Sequence, residues 1–200
     1  PVQFMAAILN SVKDNTTKVS AFIQYCRKHG IAVLPPNVNK SMSKFSVEEG
    51  KSIRYGLSAV RNVGVGAVQA ILNGRKERPY KDLYDFAERV EIEAINKRVV
   101  ESLIKSGAMD DFPGYRTQKL AMYESILDGE ATRRKTMITG QLSLFGDEGL
   151  EAPRPELPKI PEMSPKLLLQ YEKEMTGVYI TGHPLDEYRE RLEKMPCSVQ

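Results

Sequence analysis

Two cysteines in 200 residues, Cys26 and Cys197, give this sequence no disulfide framework. They lie far apart and share no metal-ligand spacing with the two histidines, His29 and His183, which excludes a zinc site. No apolar run is long enough to cross a bilayer and no signal peptide opens the chain, so a cytoplasmic protein without membrane contact is expected. A net charge of +3 is too small to make the whole chain a polyelectrolyte partner of nucleic acid. Catalytic constellations are missing too. Ser43, Ser58 and Ser143 have no accompanying His/Asp context, and His183 beside Pro184 suits a turn better than a general base. Asp110 and Asp111 follow Gly107, a placement that ends a helix more readily than it binds metal. No catalytic residue, metal ligand or cofactor is expected in this chain.

The charge that is present is unevenly placed. Residues 51–100 hold ten Lys/Arg against six Asp/Glu, a net of +4, whereas residues 141–163 hold five acids against Arg154 and Lys159, a net of −3. A basic middle followed by an acidic stretch suits a middle that meets phosphates.

Hydrophobic periodicity divides the chain. Phe4, Met5, Ile8, Leu9 and Val12 recur at helical spacing, and Thr16 or Thr17 is expected to cap a second helix through Val19, Phe22, Ile23 and Cys26 that stops at Gly30. Ile31 to Leu34 is a short β-prone run ended by Pro35-Pro36, and Phe45–Val47 with Ser52–Tyr55 flank a turn at Glu48-Glu49-Gly50-Lys51, a hairpin signature. Residues 1–55 therefore read as a small α+β unit. From 56 to 112 the chain becomes helical with short turns, and 113–136 reads as one longer packing helix with a basic end. Residues 137–163 carry Pro153, Pro155, Pro158 and Pro161 without periodicity and read as a flexible, extended linker. In 164–200, Ser164-Pro165 opens a helix through Leu167, Leu168, Tyr171 and Met175, Val178 to Thr181 is strand-like, and a last helix is expected from Leu185 to Met195. The expected class is mainly α with a small α+β N-terminal part. The chain begins at Pro1 without a Met, already inside a helical pattern, and ends at Gln200 without a tail, so it is read as a segment of a longer protein.

The turn Val63-Gly64-Val65-Gly66 is expected to lie between two short apolar-faced helices. Glycine at both places permits φ > 0 and close approach of another backbone. The helix that starts there points its free N–H groups and the positive end of its dipole outward, which makes a phosphate site. With Arg61 before the turn and Arg75 and Lys76 after it, this is a helix-hairpin-helix layout, which grips nucleic-acid backbone without reading bases. A tight turn that binds nothing would carry the same glycines. A dinucleotide fingerprint fits poorly, because Gln69 stands where the third glycine belongs. A second unit is read in Asn96-Lys97-Arg98 followed by Leu103-Ile104-Lys105-Ser106-Gly107-Ala108, a degenerate hairpin with one glycine. Two such units, about forty residues apart in the sequence, would pack as a pseudo-twofold pair and contact one phosphate on each strand.

Gln141-Leu142-Ser143-Leu144-Phe145, set between Gly140 and Gly146, is the wrong content for a solvated linker. Its apolar side chains are meant either for a pocket on another protein or for the core of this one.

Several strings occur in order: Phe4-Met5-Ala6-Ala7-Ile8-Leu9, Val33-Leu34-Pro35-Pro36-Asn37-Val38-Asn39, Tyr55-Gly56-Leu57 through Gly66, Asn96-Lys97-Arg98-Val99 through Gly107-Ala108, and Thr181-Gly182-His183-Pro184-Leu185. Together they resemble the C-family replicative polymerases of bacteria, the alpha subunits of DNA polymerase III, along essentially the whole chain. The resemblance implies that 1–55 is the end of the fingers domain and 56–112 a tandem helix-hairpin-helix module that binds duplex DNA. It implies that Gln141 to Phe145 is a sliding-clamp-binding motif, with Gln141 hydrogen bonding at the pocket edge, Leu144 and Phe145 filling it and Leu142 at its rim, and that 164–200 leads toward an OB-fold. The implied partners are duplex DNA, the sliding clamp (beta subunit) and other polymerase III holoenzyme subunits. The parent would be a DNA-directed DNA polymerase, a nucleotidyltransferase whose Mg2+-binding palm lies upstream, so this segment alone is expected to be inactive. Met109 departs from the aromatic residue usual after the Gly-Ala pair. The rival reading is the helix-hairpin-helix module of a DNA repair enzyme, which would call for a catalytic centre in the same chain. A purely structural spacer would bind neither DNA nor clamp.

Overall fold

A computed structural model describes residues 1–138, 155–185 and 188. The chain folds as α1 (Val2–Ser11), α2 (Thr16–Lys28), β1 (Ala32–Leu34), β2 (Ser46–Glu48) and β3 (Ser52–Arg54). A 3-10 turn at Leu57–Ala59 then leads to α3 (Val65–Gly74) and α4 (Leu83–Arg89), and a second at Ile92–Ala94 leads to α5 (Lys97–Lys105), α6 (Arg116–Ile138) and α7 (Pro165–Thr176). The architecture is mainly helical with one small sheet near the N-terminus. The sheet order is β1-β3-β2, with β1 parallel to β3 (Val33 opposite Ile53) and β2 antiparallel to it (Val47 opposite Ile53). The expected hairpin forms, and its turn places Glu49 and Gly50 at positive φ.

Local chemistry accounts for the helix ends. Asn15 rather than Thr16 or Thr17 caps α2, its side chain accepting from Lys18 N at 3.0 Å. Asn96 and Ser164 cap α5 and α7 as their sequences predict. The α5 C-terminus closes as a Schellman turn: Gly107 takes φ +81, Ala108 N donates to Leu103 O at 2.9 Å and Gly107 N to Ile104 O at 3.0 Å. A Cβ on Gly107 would also strike the Arg116 guanidinium, so this glycine serves the fold.

A single cluster of buried apolar side chains runs from Met5 to Ile180 without a break at residue 55. The loop from Pro35 to Phe45 stitches the sheet to the helices. Asn39 clasps the Tyr80 backbone, Nδ2 donating to its carbonyl at 2.9 Å and Oδ1 accepting from its amide at 2.8 Å. Val38 N donates to Ala108 O at 2.8 Å, and Asn37 Nδ2 to Asp111 Oδ2 at 2.9 Å. The Tyr55-Gly56-Leu57 string forms the other side of the seam. Leu57 N and Ser58 N donate to Met42 O and Ser43 O, both at 3.0 Å. Backbones approach so closely there that a Cβ on Gly56 would lie 2.5 Å from the Lys44 carbonyl carbon.

Two expectations at the C-terminal side change. Val178 to Thr181 is no strand. It is an irregular segment whose Ile180 and Thr181 amides donate to the buried Glu172 carboxylate, while Arg27 Nη2 donates to the Tyr179 and Ile180 carbonyls at 2.6 and 2.7 Å. Residues 155–163, read as flexible linker, are extended but tied down: the Tyr84 hydroxyl donates to Pro155 O at 3.2 Å and Gln118 Nε2 to Pro158 O at 2.7 Å. The helix expected over 185–195 falls almost wholly outside the described residues. No described helix is long and apolar enough to cross a membrane.

Two measurements test this packing. Gly56→Ala is expected to cost about 2–4 kcal/mol in urea unfolding, because backbone atoms cannot yield to the new Cβ. Gly129→Ala, on α6 with open space at its Cβ position, should stabilise by about 0.5–1 kcal/mol. The buried Asp85 gives a pH signature. Burial raises its pKa, but Arg78 Nη2 at 2.7 Å, the Lys81 amide at 2.9 Å and Arg89 Nη1 at 3.0 Å outweigh this and hold it at about 2 against an ordinary 3.8. The folded pKa is the lower one, so the stabilisation is complete above pH ~4 and is lost as pH falls through ~2, about 2 kcal/mol in all. Asp85→Asn should flatten that part of the pH–stability curve.

Candidate nucleic-acid interface

The sequence reading places a candidate phosphate site at the N-terminus of α3. Gly64 is its N-cap, and no side chain caps this end among the described residues. Gly64, Val65 and Gly66 are exposed, with Val65 at 82%. The first amides of the helix have no intrahelical acceptor and face outward with the positive end of the dipole. Beneath them Val63 is buried as an anchor.

The glycines do not act as expected. Gly64 has φ −75, and the left-handed residue of the turn is Asn62 at φ +64. A Cβ on Gly64 or Gly66 would meet nothing within 4 Å. The fold therefore does not require glycine at these positions, and the free space is on the outer side, where another backbone would approach. The segment before the turn also differs from expectation, being a single 3-10 turn rather than a helix.

Asn62, which the sequence reading passed over, fixes the turn in place. Its Nδ2 donates to Ser102 Oγ on α5 at 2.9 Å, and that hydroxyl donates to Arg98 O at 2.8 Å. From the other side, Arg61 N donates to Met175 O at the end of α7, at 2.8 Å. An Asn-Val-Gly string is the only sequence signal for such a left-handed residue. Its partner, forty positions away, has none.

The turn thus gathers Arg61, Val63, Gly64, Val65 and Gly66, with Arg98 one helical turn from Ser102 on the neighbouring helix. Arg61 and Arg98 are exposed, and neither side chain has a partner among the described residues. The other basic candidates lie elsewhere. Arg75 donates to Val38 O and Ser41 O, each at 2.7 Å, so its guanidinium belongs to the fold. Lys76 sits past the far end of α3, roughly 15 Å along the axis from the turn. Lys97 pairs with Asp128 at 2.8 Å. Lys105 pairs with Glu101 at 2.7 Å and lies over the Tyr171 ring. Gly107 closes α5, as described above.

The second turn, from Ser106 to Tyr115, joins α5 to α6 and is acidic. Asp110 pairs with Arg116, Oδ1 accepting from Nε at 2.8 Å, and Asp111 pairs with Lys40 at 3.0 Å. Both carboxylates brace loops. Among the described residues no group of three or more His, Cys, Asp or Glu is placed to hold a metal ion. Gln141 to Phe145 lie outside the described residues.

A 3-10 turn and tight loop leading into α3, the connecting α4, and a turn between α5 and α6 give a helix-hairpin-helix arrangement. The helix-hairpin-helix motif family matches residues 30–119, which contain both turns and end in the first turn of α6. Relatives match far beyond that module. DNA polymerase III subunit alpha of Vibrio cholerae is 36% identical over 97% of this chain and 17% of that relative. Those of Bacillus subtilis and Thermus aquaticus are each 40% identical, over 96% and 100% of this chain and 17% and 16% of theirs. The chain belongs to the family of bacterial DNA polymerase III alpha subunits, and it spans about one sixth of the length of the relatives it matches.

Proposed function

We propose that this chain is a non-catalytic, duplex-binding segment of a replicative polymerase alpha subunit and that it also carries the contact to the sliding clamp. The uncapped N-terminus of α3 supports the DNA reading most directly. Its exposed amides, glycines with open Cβ positions and flanking Arg61 and Arg98 make a positive site suited to one backbone phosphate. The chemistry is sequence-blind, because nothing at the turn is shaped to reach base edges.

The clamp reading rests on the content of residues 141–145 and on where the chain around them is tied. Before them, Arg134 Nη2 donates to the Ala87, Glu88 and Val90 carbonyls at the end of α4. After them, Pro155 O accepts from Tyr84 on the same helix. Both tethers sit at α4, so the motif would be presented from one edge of the body. Burying two or three apolar side chains supplies roughly 1.5–3 kcal/mol each before ordering costs, a weak contact made useful by tethering.

Duplex DNA should bind with a marked salt dependence and no preference for base sequence. Arg61→Ala is expected to weaken binding about two- to fivefold on every sequence and to lower the salt slope by roughly 0.9. Gly64→Val with Gly66→Val should abolish most binding while leaving the unfolding midpoint in place, since the fold has room for both. Base-dependent affinity or a flat salt response would count against backbone recognition. Clamp binding, measured separately by calorimetry, should vanish when Gln141, Leu144 and Phe145 are changed to Ala, with melting temperature and DNA affinity unchanged. A melting temperature lowered by several degrees would assign those side chains to a core instead.

A further inference from the structure

The end of α7 and the first hairpin turn satisfy one another's backbone. The last carbonyls of an α-helix have no intrahelical partner. In α7 two of them are Met175 O and Thr176 O, on buried residues. Arg61 N donates to Met175 O at 2.8 Å. The hydroxyl of Tyr55, a residue only 1% exposed, donates to Thr176 O at 2.8 Å and lies 3.3 Å from Ala59 O. Tyr55 thus links the 3-10 turn to α7, and the chain entering the hairpin is docked on that helix at two points. Buried carbonyls cost free energy when left unbonded, so these contacts favour one docked position over its neighbours.

The end of α7 is itself held by residues of α2. Glu172, fully buried, accepts from the Ile180 and Thr181 amides, which turns the chain back on the helix. Arg27 in the last turn of α2 donates to the Tyr179 and Ile180 carbonyls of the same segment. Gly177 caps α7 at φ +79, and a Cβ there would strike the methyl group of Thr16 at the start of α2. α7 therefore ends between α2 and the hairpin, and the hairpin takes its orientation from it.

The helix-hairpin-helix family match spans residues 30–119, so α7, at Pro165–Thr176, lies outside it. We propose that Tyr55 and the end of α7 are positioning elements of the phosphate site, and that the hairpin grips duplex DNA at full strength only with α7 docked on it. Tyr55 is buried and touches no nucleic acid. It acts through Ala59 and Thr176, which set where Arg61 and the first amides of α3 point. An undocked turn keeps every charge of the site but loses their common aim. Affinity then falls while the number of phosphates neutralised stays the same. This inference rests on the DNA-binding reading above and deepens it.

The test is duplex affinity of the whole 200-residue chain at several salt concentrations, at a temperature where each variant is folded, with its unfolding midpoint recorded. Tyr55→Phe removes one hydroxyl and no charge. It is expected to weaken binding about three- to fivefold with the salt slope unchanged, whereas Arg61→Ala lowers the slope. Gly177→Ala should weaken binding by a similar factor, because it drives the end of α7 off Thr16. Adding Thr16→Ser, which removes the methyl group in the way, should restore part of that loss, and this pair carries the test if Tyr55→Phe does not fold. Asp85→Asn costs stability through its own partners, Arg78, Lys81 and Arg89, and should leave affinity unchanged. Binding at the unaltered strength by Tyr55→Phe or Gly177→Ala overturns the proposal and leaves the DNA reading standing. So does a salt slope lowered by Tyr55→Phe, or a Gly177→Ala loss that Thr16→Ser does not lessen. An Asp85→Asn loss as large as that of Tyr55→Phe also overturns it, since binding would then follow stability alone. If the unaltered protein binds no duplex, the DNA reading itself fails.

Discussion

The clasp of Asn39 on the Tyr80 backbone is the interaction on which the rest of this structure depends. Its amide satisfies a buried-side donor and acceptor at once and fixes the loop from Pro35 to Phe45 against the helical half. Arg75 finishes the join by holding the Val38 and Ser41 carbonyls. With that loop in place, Tyr55-Gly56-Leu57 can run beside it at backbone contact distance, and the hairpin turn that follows inherits a fixed position. Removing the Asn39 side chain would leave the Tyr80 amide and carbonyl without these partners, at the cost of two hydrogen bonds.

The same economy sorts the basic residues. A positive charge is useful to a phosphate only if its guanidinium or amine is not already bonded within the fold. Arg75, Arg89, Arg116 and Arg134 are all bonded to carbonyls or carboxylates of the protein. Among the described residues the Arg61 and Arg98 side chains make no such bond. Arg61 belongs to the hairpin turn that leads into α3, whose start no side chain caps, and Arg98 lies on the neighbouring α5. The surface charge of +4 in the middle of the sequence thus overstates what the interface can use, because much of it stabilises helix ends and loop carbonyls.

The C-terminal part is more than a lead-in. Glu172 gathers the Ile180 and Thr181 amides, Tyr55 donates its hydroxyl to Thr176 O at 2.8 Å, and Met175 O receives the Arg61 amide. The end of α7 therefore buttresses the hairpin turn directly. A helix separated from the turn by more than a hundred residues sets its position, and the acidic segment before that helix reaches across to the second hairpin through Glu162.

Periodicity and punctuation made most elements legible: both N-terminal helices, the hairpin at Glu48 to Lys51, the Asn96 and Ser164 caps, and the helix starting at Val65 all follow from local sequence, because caps, turns and amphipathic faces are decided by neighbours within about four positions. The ordered strings made the family legible. What the sequence left undecided lies at longer range. It offered Arg75, Lys105 and Gly107 as interface residues, and only the packing shows that carbonyls, Glu101 and the α5 cap had already claimed them. It passed over Asn62, Ser102 and Glu162, whose partners lie roughly forty to forty-six positions away. A side chain's type and spacing state what it is able to bond. Which bond it makes depends on what the folded chain brings within three ångströms, and only the tertiary structure determines that.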